Sequence, residues 1–285
     1  MSISSVLGRS VLHVRRWPWI KRLKHLIPEH MKQWAWRMAV DQDEFVIAGN
    51  RMRIPVGDRN AIYLSDEYEP EITAKLQQLL KPGMTFCDVG ANMGVLTLFA
   101  ARLVGPTGRV FAFEPFPKNA AVVRENVALN GFTNVTVVEA AVSETNGEAL
   151  LHLSEYCGSH CLAENPGASA GKTLPVKTIR LDSVPGLDRI DVLKSDTEGT
   201  ELAVLRGLGS LQPSHIIVEA NTYLFTVMGK PSKDFTGPGF LSALDSLGYE
   251  VIENLTAPDS GVEPIKREVD GLWNLLLRPR ARGAQ

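Results

Sequence analysis

At 285 residues, with 44% hydrophobic and 22% charged residues, the chain has the composition of a globular protein with room for one large domain. Its net charge of −2 hides an asymmetry: residues 1–40 hold eight Lys or Arg against the single acid Glu29, which leaves about −9 for the rest and argues against a nucleic-acid-binding face there. No apolar stretch approaches the roughly 18–20 residues that span a bilayer, the first residues lack the order of a secretory signal, and three cysteines make no disulfide framework, so a cytoplasmic setting is expected.

The basic arm interleaves Trp17, Trp19, Trp34 and Trp36 with Arg15, Arg16, Lys21, Arg22 and Lys24, and Pro18 and Pro28 break it into short helical pieces. Residues 1–43 therefore read as a helical extension. Its tryptophans either lie at an anionic lipid surface, a peripheral contact at the inner membrane face, or bury against the body or a second copy in a homodimer contact. The body, 44–285, opens with two short strands, Phe45–Ile47 and Arg51–Pro55, around a Gly49-Asn50 turn. A helix from Glu71 to Leu80 ends at Lys81-Pro82-Gly83.

Strands near 84–89, 109–114, 135–139, 190–195, 214–219, 249–254 and 271–277 then alternate with helices near 94–104, 117–130, 199–208 and 237–247. Such alternation predicts βαβ units and a mostly parallel sheet. Extra strands at 148–153 and 174–181 read as an inserted hairpin (about 148–181) between the third and fourth core strands. The last strand follows its predecessor through a long loop around Pro258 to Glu268 with no clear helix, so it is expected to enter antiparallel.

The most informative segment is Phe86-Cys87-Asp88-Val89-Gly90-Ala91-Asn92-Met93-Gly94, followed twenty residues later by Glu114 at the end of the next apolar run. A glycine turn between strand and helix, with an acid closing the second strand, is how doubly wound α/β domains hold a nucleoside-containing cofactor. The spacing is G-x-x-x-G, however, not the G-x-G-x-x-G that cradles a pyrophosphate, and Asp88 would repel phosphates. A cofactor with a cationic centre, an amino group and a ribose fits better: S-adenosylmethionine (SAM). Tight strand-to-helix turns favour glycine for backbone reasons too, so the turn gains its meaning from Glu114.

Together with Tyr68-Glu69-Pro70-Glu71, Ala112-Phe113-Glu114-Pro115, Ala140-Ala141-Val142-Ser143, Leu193-Lys194-Ser195-Asp196-Thr197-Glu198-Gly199-Thr200-Glu201 and Ile217-Val218-Glu219, this segment resembles the FkbM family of class I SAM-dependent methyltransferases over about residues 65–220. The resemblance implies a Rossmann-like α/β fold, a seven-stranded mostly parallel sheet with an antiparallel last strand and helices on both faces. It also implies an O-methyltransferase acting on a sugar, glycan or polyketide-type small molecule. The sequence departs from the family's usual Lys-Ile-Asp at Lys194-Ser195-Asp196, and the insert at 154–173 has no counterpart motif; expected near a substrate mouth, the inserted hairpin is the expected determinant of the acceptor.

By the resemblance, Gly90, Asn92 and Gly94 form the turn under the methionine moiety with Asp88 toward its amino group. Glu114 accepts both ribose hydroxyls, and Glu139, Ala140 and Ala141 border the adenine. Asp196, with Glu198 and Glu219, is the expected catalytic group beyond the strand ends; the competing reading makes Asp196 or Ser195 the cap of the next helix. Asp196, Glu219 and Asn221 are also candidate ligands for Mg²⁺, which would lower the pKa of a bound hydroxyl. His152, Cys157, His160 and Cys161 are too irregularly spaced for a zinc site, although His160 reaches the active site if the insert folds over it. His215 begins a strand and is expected to be structural. Two rival functions remain: a SAM-binding scaffold without turnover, and an N-methyltransferase. The second is disfavoured because Ser195-Asp196-Thr197-Glu198 stands where such enzymes carry an Asn/Asp-Pro-Pro-Tyr turn.

Overall fold

The computed structural model describes residues 44–55, 67–154, 160–162, 172–221, 236–267 and 271–280; the Trp-rich arm and Cys157 lie outside the described residues. In chain order the elements are β1 (Phe45–Ile47), β2 (Asn50–Met52), α1 (Pro70–Leu79), β3 (Thr85–Val89), α2 (Val95–Val104), β4 (Arg109–Phe113) and α3 (Pro117–Leu129). There follow β5 (Val135–Val138), β6 (Ala141–Val142), β7 (Gly147–His152), β8 (Thr173–Ile179), β9 (Val192–Ser195) and α4 (Glu201–Arg206). The last are β10 (His215–Asn221), α5 (Gly237–Ser246), β11 (Tyr249–Asn254), α6 (Glu263–Lys266) and β12 (Leu272–Pro279).

Seven strands form one sheet in the order β11-β12-β10-β9-β3-β4-β5. β3, β4, β5, β9 and β10 pair in parallel. β12 runs antiparallel to both β10 and β11, as the missing crossover helix predicts. Every residue of β3 is buried, because helices cover both faces of the sheet. On one face Cys87, Val89, Leu193 and Val218 pack with Val204 and Leu205 of α4 and Phe240 and Leu244 of α5. On the other, Phe86, Val192, Ile217 and Leu276 meet Ile72 and Leu76 of α1 and Leu96 and Phe99 of α2. Strand order reverses between β3 and β9, the place where open α/β sheets bind ligands at their carboxyl ends.

The N-terminal hairpin is shorter than expected, since β2 ends at Met52. Beyond it the edge is completed by side chains of α3. Asn130 exchanges bonds with the Arg51 backbone (3.0 and 2.7 Å) and Asn126 with that of Arg53 (2.7 and 3.2 Å). Four residues apart on the helix, the two amides mimic a paired strand.

Three further boundaries depart from the sequence reading. The inserted hairpin exists, with β7 and β8 antiparallel, but β6 joins β8 in parallel and makes a three-stranded sheet tied to the end of β5. Two residues are too short a run for alternation to reveal β6. A one-turn helix, α6, occupies the loop before β12. And α4 begins at Glu201 rather than near 199, because Glu198 and Gly199 have left-handed backbone (φ 54° and 105°) that no helix can include.

Candidate active site

The turn after β3 is shaped by a close approach of two strands. The Gly90 and Ala91 N–H groups both donate to the Phe113 carbonyl at 3.0 Å, and the Asp196 N–H donates to the Val89 carbonyl at 3.0 Å. Gly90 has φ 83°, and a Cβ placed on it would lie 1.8 Å from the Asp196 carbonyl oxygen. Only glycine meets both demands. Asn92 (φ 50°) and Gly94 (φ 87°) complete the turn, and Gly94 leads directly into α2.

Glu114 closes β4 and is clamped from two sides. Its Oε2 accepts the Asn92 N–H at 2.8 Å and its Oε1 the Phe116 N–H at 2.9 Å. Burial pushes the carboxyl up to about 7, against the pull of those two amides. The Asn119 side chain hydrogen-bonds the carboxyl as well, so the group is fixed in place at the end of β4.

The opposite end of the site is acidic around one cation. Lys194 is 4% exposed and lies directly across β3–β9 from Asp88. Its Nζ donates to Asp196 Oδ2 at 2.9 Å. Burial would lower this ammonium, but Asp196, Glu69 and Asp88 outweigh it and hold Lys194 above the ordinary lysine range. Asp88 is 1% exposed; its Oδ2 accepts the Thr97 hydroxyl at 2.6 Å, while its buried Oδ1 has no hydrogen-bond partner among the described residues. Burial raises its pKa.

Carboxylate oxygens of Asp196, Glu198 and Glu219 lie within 4.8 Å of one another. Glu219 is brought there by register, one step beyond the Val218–Ser195 pair. Burial and its acidic neighbours push Glu198 up to about 8 and drive Glu219 upward as well. Three carboxyls this close do not all ionise at neutral pH, and Glu198 and Glu219 are the two pushed toward the protonated form. Asn221 hydrogen-bonds Glu198. The fourth acid, Glu201, is structural: its Oε1 accepts the Thr197 N–H and hydroxyl (2.9 and 3.0 Å) and the Gly199 N–H (3.2 Å), which folds the loop that presents Glu198. The capping role weighed for Asp196 is not what the structure shows, since Thr200 is the residue at the start of α4.

These groups share an open cavity of about 810 Å³, counting its mouth. Asp88, Gly90, Asn92, Glu114, Ala141, Asp196 and Glu198 line it; Glu219 and Asn221 stand behind Glu198. Gly94 supports it from the helix start. Glu139 corrects the sequence reading. Its side chain is 41% exposed and accepts from Arg124 of α3 at 2.9 Å, so it is spent in a surface ion pair and does not line the cavity. Ala140, Ala141 and Val142 do.

Sequence reasoning gave no role to Tyr68, Asn119 or Lys194, which also line the cavity. For Lys194 a signal existed: a lysine inside an apolar strand needs a buried acid as partner. His160 does reach the cavity, its Nδ1 accepting the Ser154 N–H at 3.0 Å, whereas His152 and Cys161 meet through backbone bonds of 2.8 and 3.2 Å. Among the described residues no metal-type grouping includes them. His215 opens β10, far from the carboxyl ends, as expected.

The residues present fit SAM on two observations of this structure: an orphaned acid oxygen on Asp88 where an ammonium would be received, and a glycine whose absent Cβ leaves the turn open to close approach. Comparison with known proteins points to methyltransferases. The model of the methyltransferase FkbM domain matches residues 88–251, more than half of the chain. Methyltransferase sdnD of Sordaria araneosa is 30% identical over 153 residues, which cover 42% of this chain and 59% of that one. The 2-O-methyltransferase NoeI of Sinorhizobium fredii is 30% identical over 146 residues, 45% of this chain and 59% of that one. The chain thus spans less than two thirds of these relatives' length. A SAM-dependent O-methyltransferase structure from Thermotoga maritima superimposes with a TM-score of 0.44 at 16% identity, covering 76% of this chain and 68% of that one. Matched from the acid of the glycine turn into the strand at Tyr249–Asn254, the chain belongs to the FkbM methyltransferase family.

Proposed function

We propose that the protein transfers a methyl group from SAM to a hydroxyl of a sugar, glycan or polyketide-type small molecule. The observation that carries this reading is the acid trio Asp196, Glu198 and Glu219 beside the Gly90 turn, with Lys194 holding Asp196. The 2-O-methyltransferase NoeI supports transfer to oxygen, and sdnD supports methyl transfer. SAM supplies an electrophilic methyl on a sulfonium and departs as a neutral thioether. The chain's contribution is alignment, exclusion of water and a place for one proton. Asp88 and Glu114 fix the two ends of the donor. Asp196 receives the hydroxyl proton as the new bond forms, and protonated Glu198, backed by Glu219 and Asn221, donates a hydrogen bond to an acceptor oxygen. Lys194 supplies the positive charge beside Asp196, so the reading routes nothing through Mg²⁺.

Orientation of this kind is worth about 7–11 kcal/mol of a barrier, whereas general-base help is worth typically 10²–10⁴-fold. Asp196→Asn is therefore expected to keep SAH (the demethylated product) binding within about twofold and to lower kcat by roughly 10²–10³-fold. Calorimetry and tritiated-methyl transfer to a sugar or natural-product acceptor would measure both. Unchanged turnover in this variant would remove Asp196 from the chemistry. A scaffold without turnover would bind SAH yet label no acceptor at all.

A further inference from the structure

The sequence reading gives the insert to acceptor choice, but the insert is tied to the end of β5, on the other side of β3 in the sheet from β9 and β10, which carry the acid trio. If Glu114 grips the ribose and Asp88 the amino acid, the base must extend away from Asp88. That direction leads to an apolar end lined by Ala140, Ala141, Val142 and Leu151. The acid expected to meet the base, Glu139, is turned outward to Arg124. What stands there instead is the insert, through His160 and Leu162.

The placement is built, not incidental. β6, which carries the cavity residues Ala141 and Val142, pairs in register with β8 of the insert (Ala141 with Thr178, Val142 with Ile179). The His160 ring meets the Phe116 ring edge-on, with centroids 4.5 Å apart. Phe116 is the residue whose N–H clamps Glu114 Oε1, so one residue links the ribose grip to the base wall. His160 Nδ1 accepts the Ser154 N–H at 3.0 Å, which fixes the ring's orientation beside Phe116. Leu162 packs with Ala141 and Leu151 in the same small cluster.

We infer that the inserted hairpin, through His160 and Leu162, forms the adenine wall of the cofactor site and so sets donor affinity rather than acceptor choice. This rests on the SAM reading above. The test uses the full chain and two ligands that share the adenosine moiety: SAH, and 5′-methylthioadenosine, which lacks the amino-acid portion. His160→Ala is expected to weaken both by the same factor, about tenfold, the usual worth of a base-stacking side chain. Leu162→Ala should do the same to a smaller extent, and it decides the question if His160→Ala fails to fold. Asp88→Asn, by contrast, should weaken SAH and leave 5′-methylthioadenosine nearly unchanged.

If both insert variants bind both ligands like wild type, the inference is wrong, the more so if their acceptor KM rises instead. If wild type itself binds neither SAH nor 5′-methylthioadenosine, the SAM reading fails, and the inference fails with it.

Discussion

Lys194→Met is expected to destabilise the protein by about 3–5 kcal/mol, because it removes one partner of a buried charge cluster and leaves the other charges uncompensated. Lys194 sits between Asp88 across the β3–β9 pair and the Asp196 carboxylate, with Glu69 near by. Without the ammonium Asp88 and Glu69, which burial already raises, take up protons on folding. A carboxyl whose folded pKa is raised binds more protons folded than unfolded, so stability falls as pH rises above its unfolded value near 4. The deficit in Lys194→Met should therefore be larger at pH 8 than at pH 5.5, read by urea unfolding at both. The wild type should show a weaker slope of the same sign over this window, since Glu114 is raised to about 7 and Glu198 to about 8. A deficit that is constant with pH would mean that Lys194 contributes by packing alone.

Gly90→Ala is the second large effect. Its Cβ would meet the Asp196 backbone oxygen at 1.8 Å, and φ is 83°. Left-handed backbone costs a non-glycine residue about 1–2 kcal/mol. The contact is with main chain, which cannot swing aside, so β9 and Asp196 must move. We expect a stability loss of about 3 kcal/mol or more and no measurable SAH binding. Gly94→Ala is the control: φ is similar at 87°, but its Cβ would meet the Val123 side chain, nearest at 3.2 Å, rather than main chain. That variant should lose about the strain alone and keep SAH binding. Equal losses in the two would show that strain, not the crossing of β9 over the turn, requires Gly90.

These two residues mark what the sequence reveals and what it does not. The turn and Glu114 were legible because glycine spacing and a strand-end acid report on local backbone and chemistry together. The order of strands and helices was legible from periodicity, and the antiparallel β12 from a connection too poor in helix to cross the sheet. Lys194 was quoted within a motif and given no role, because its meaning depends on Asp88, a hundred residues earlier, lying across the sheet. Glu139 was misplaced for a related reason. A strand-end acid can turn either way, and Arg124 on α3 draws this one to the surface. His160 came closest to being found, but no spacing rule says that an insert folds back beside the strand it interrupts. The acid trio was visible as three separate residues, and only the register of β9 and β10 brings Glu219 to the others.

The central claim is that one cavity holds SAM through Glu114 and Asp88. Calorimetric titration of SAH into the full chain and into Glu114→Gln tests it most directly. Loss of a charged hydrogen-bond acceptor costs about 1.5–3 kcal/mol, so wild type should bind one SAH per chain and Glu114→Gln should bind at least about tenfold more weakly. Absence of SAH binding by the wild type, or equal affinity in the variant, would contradict the account.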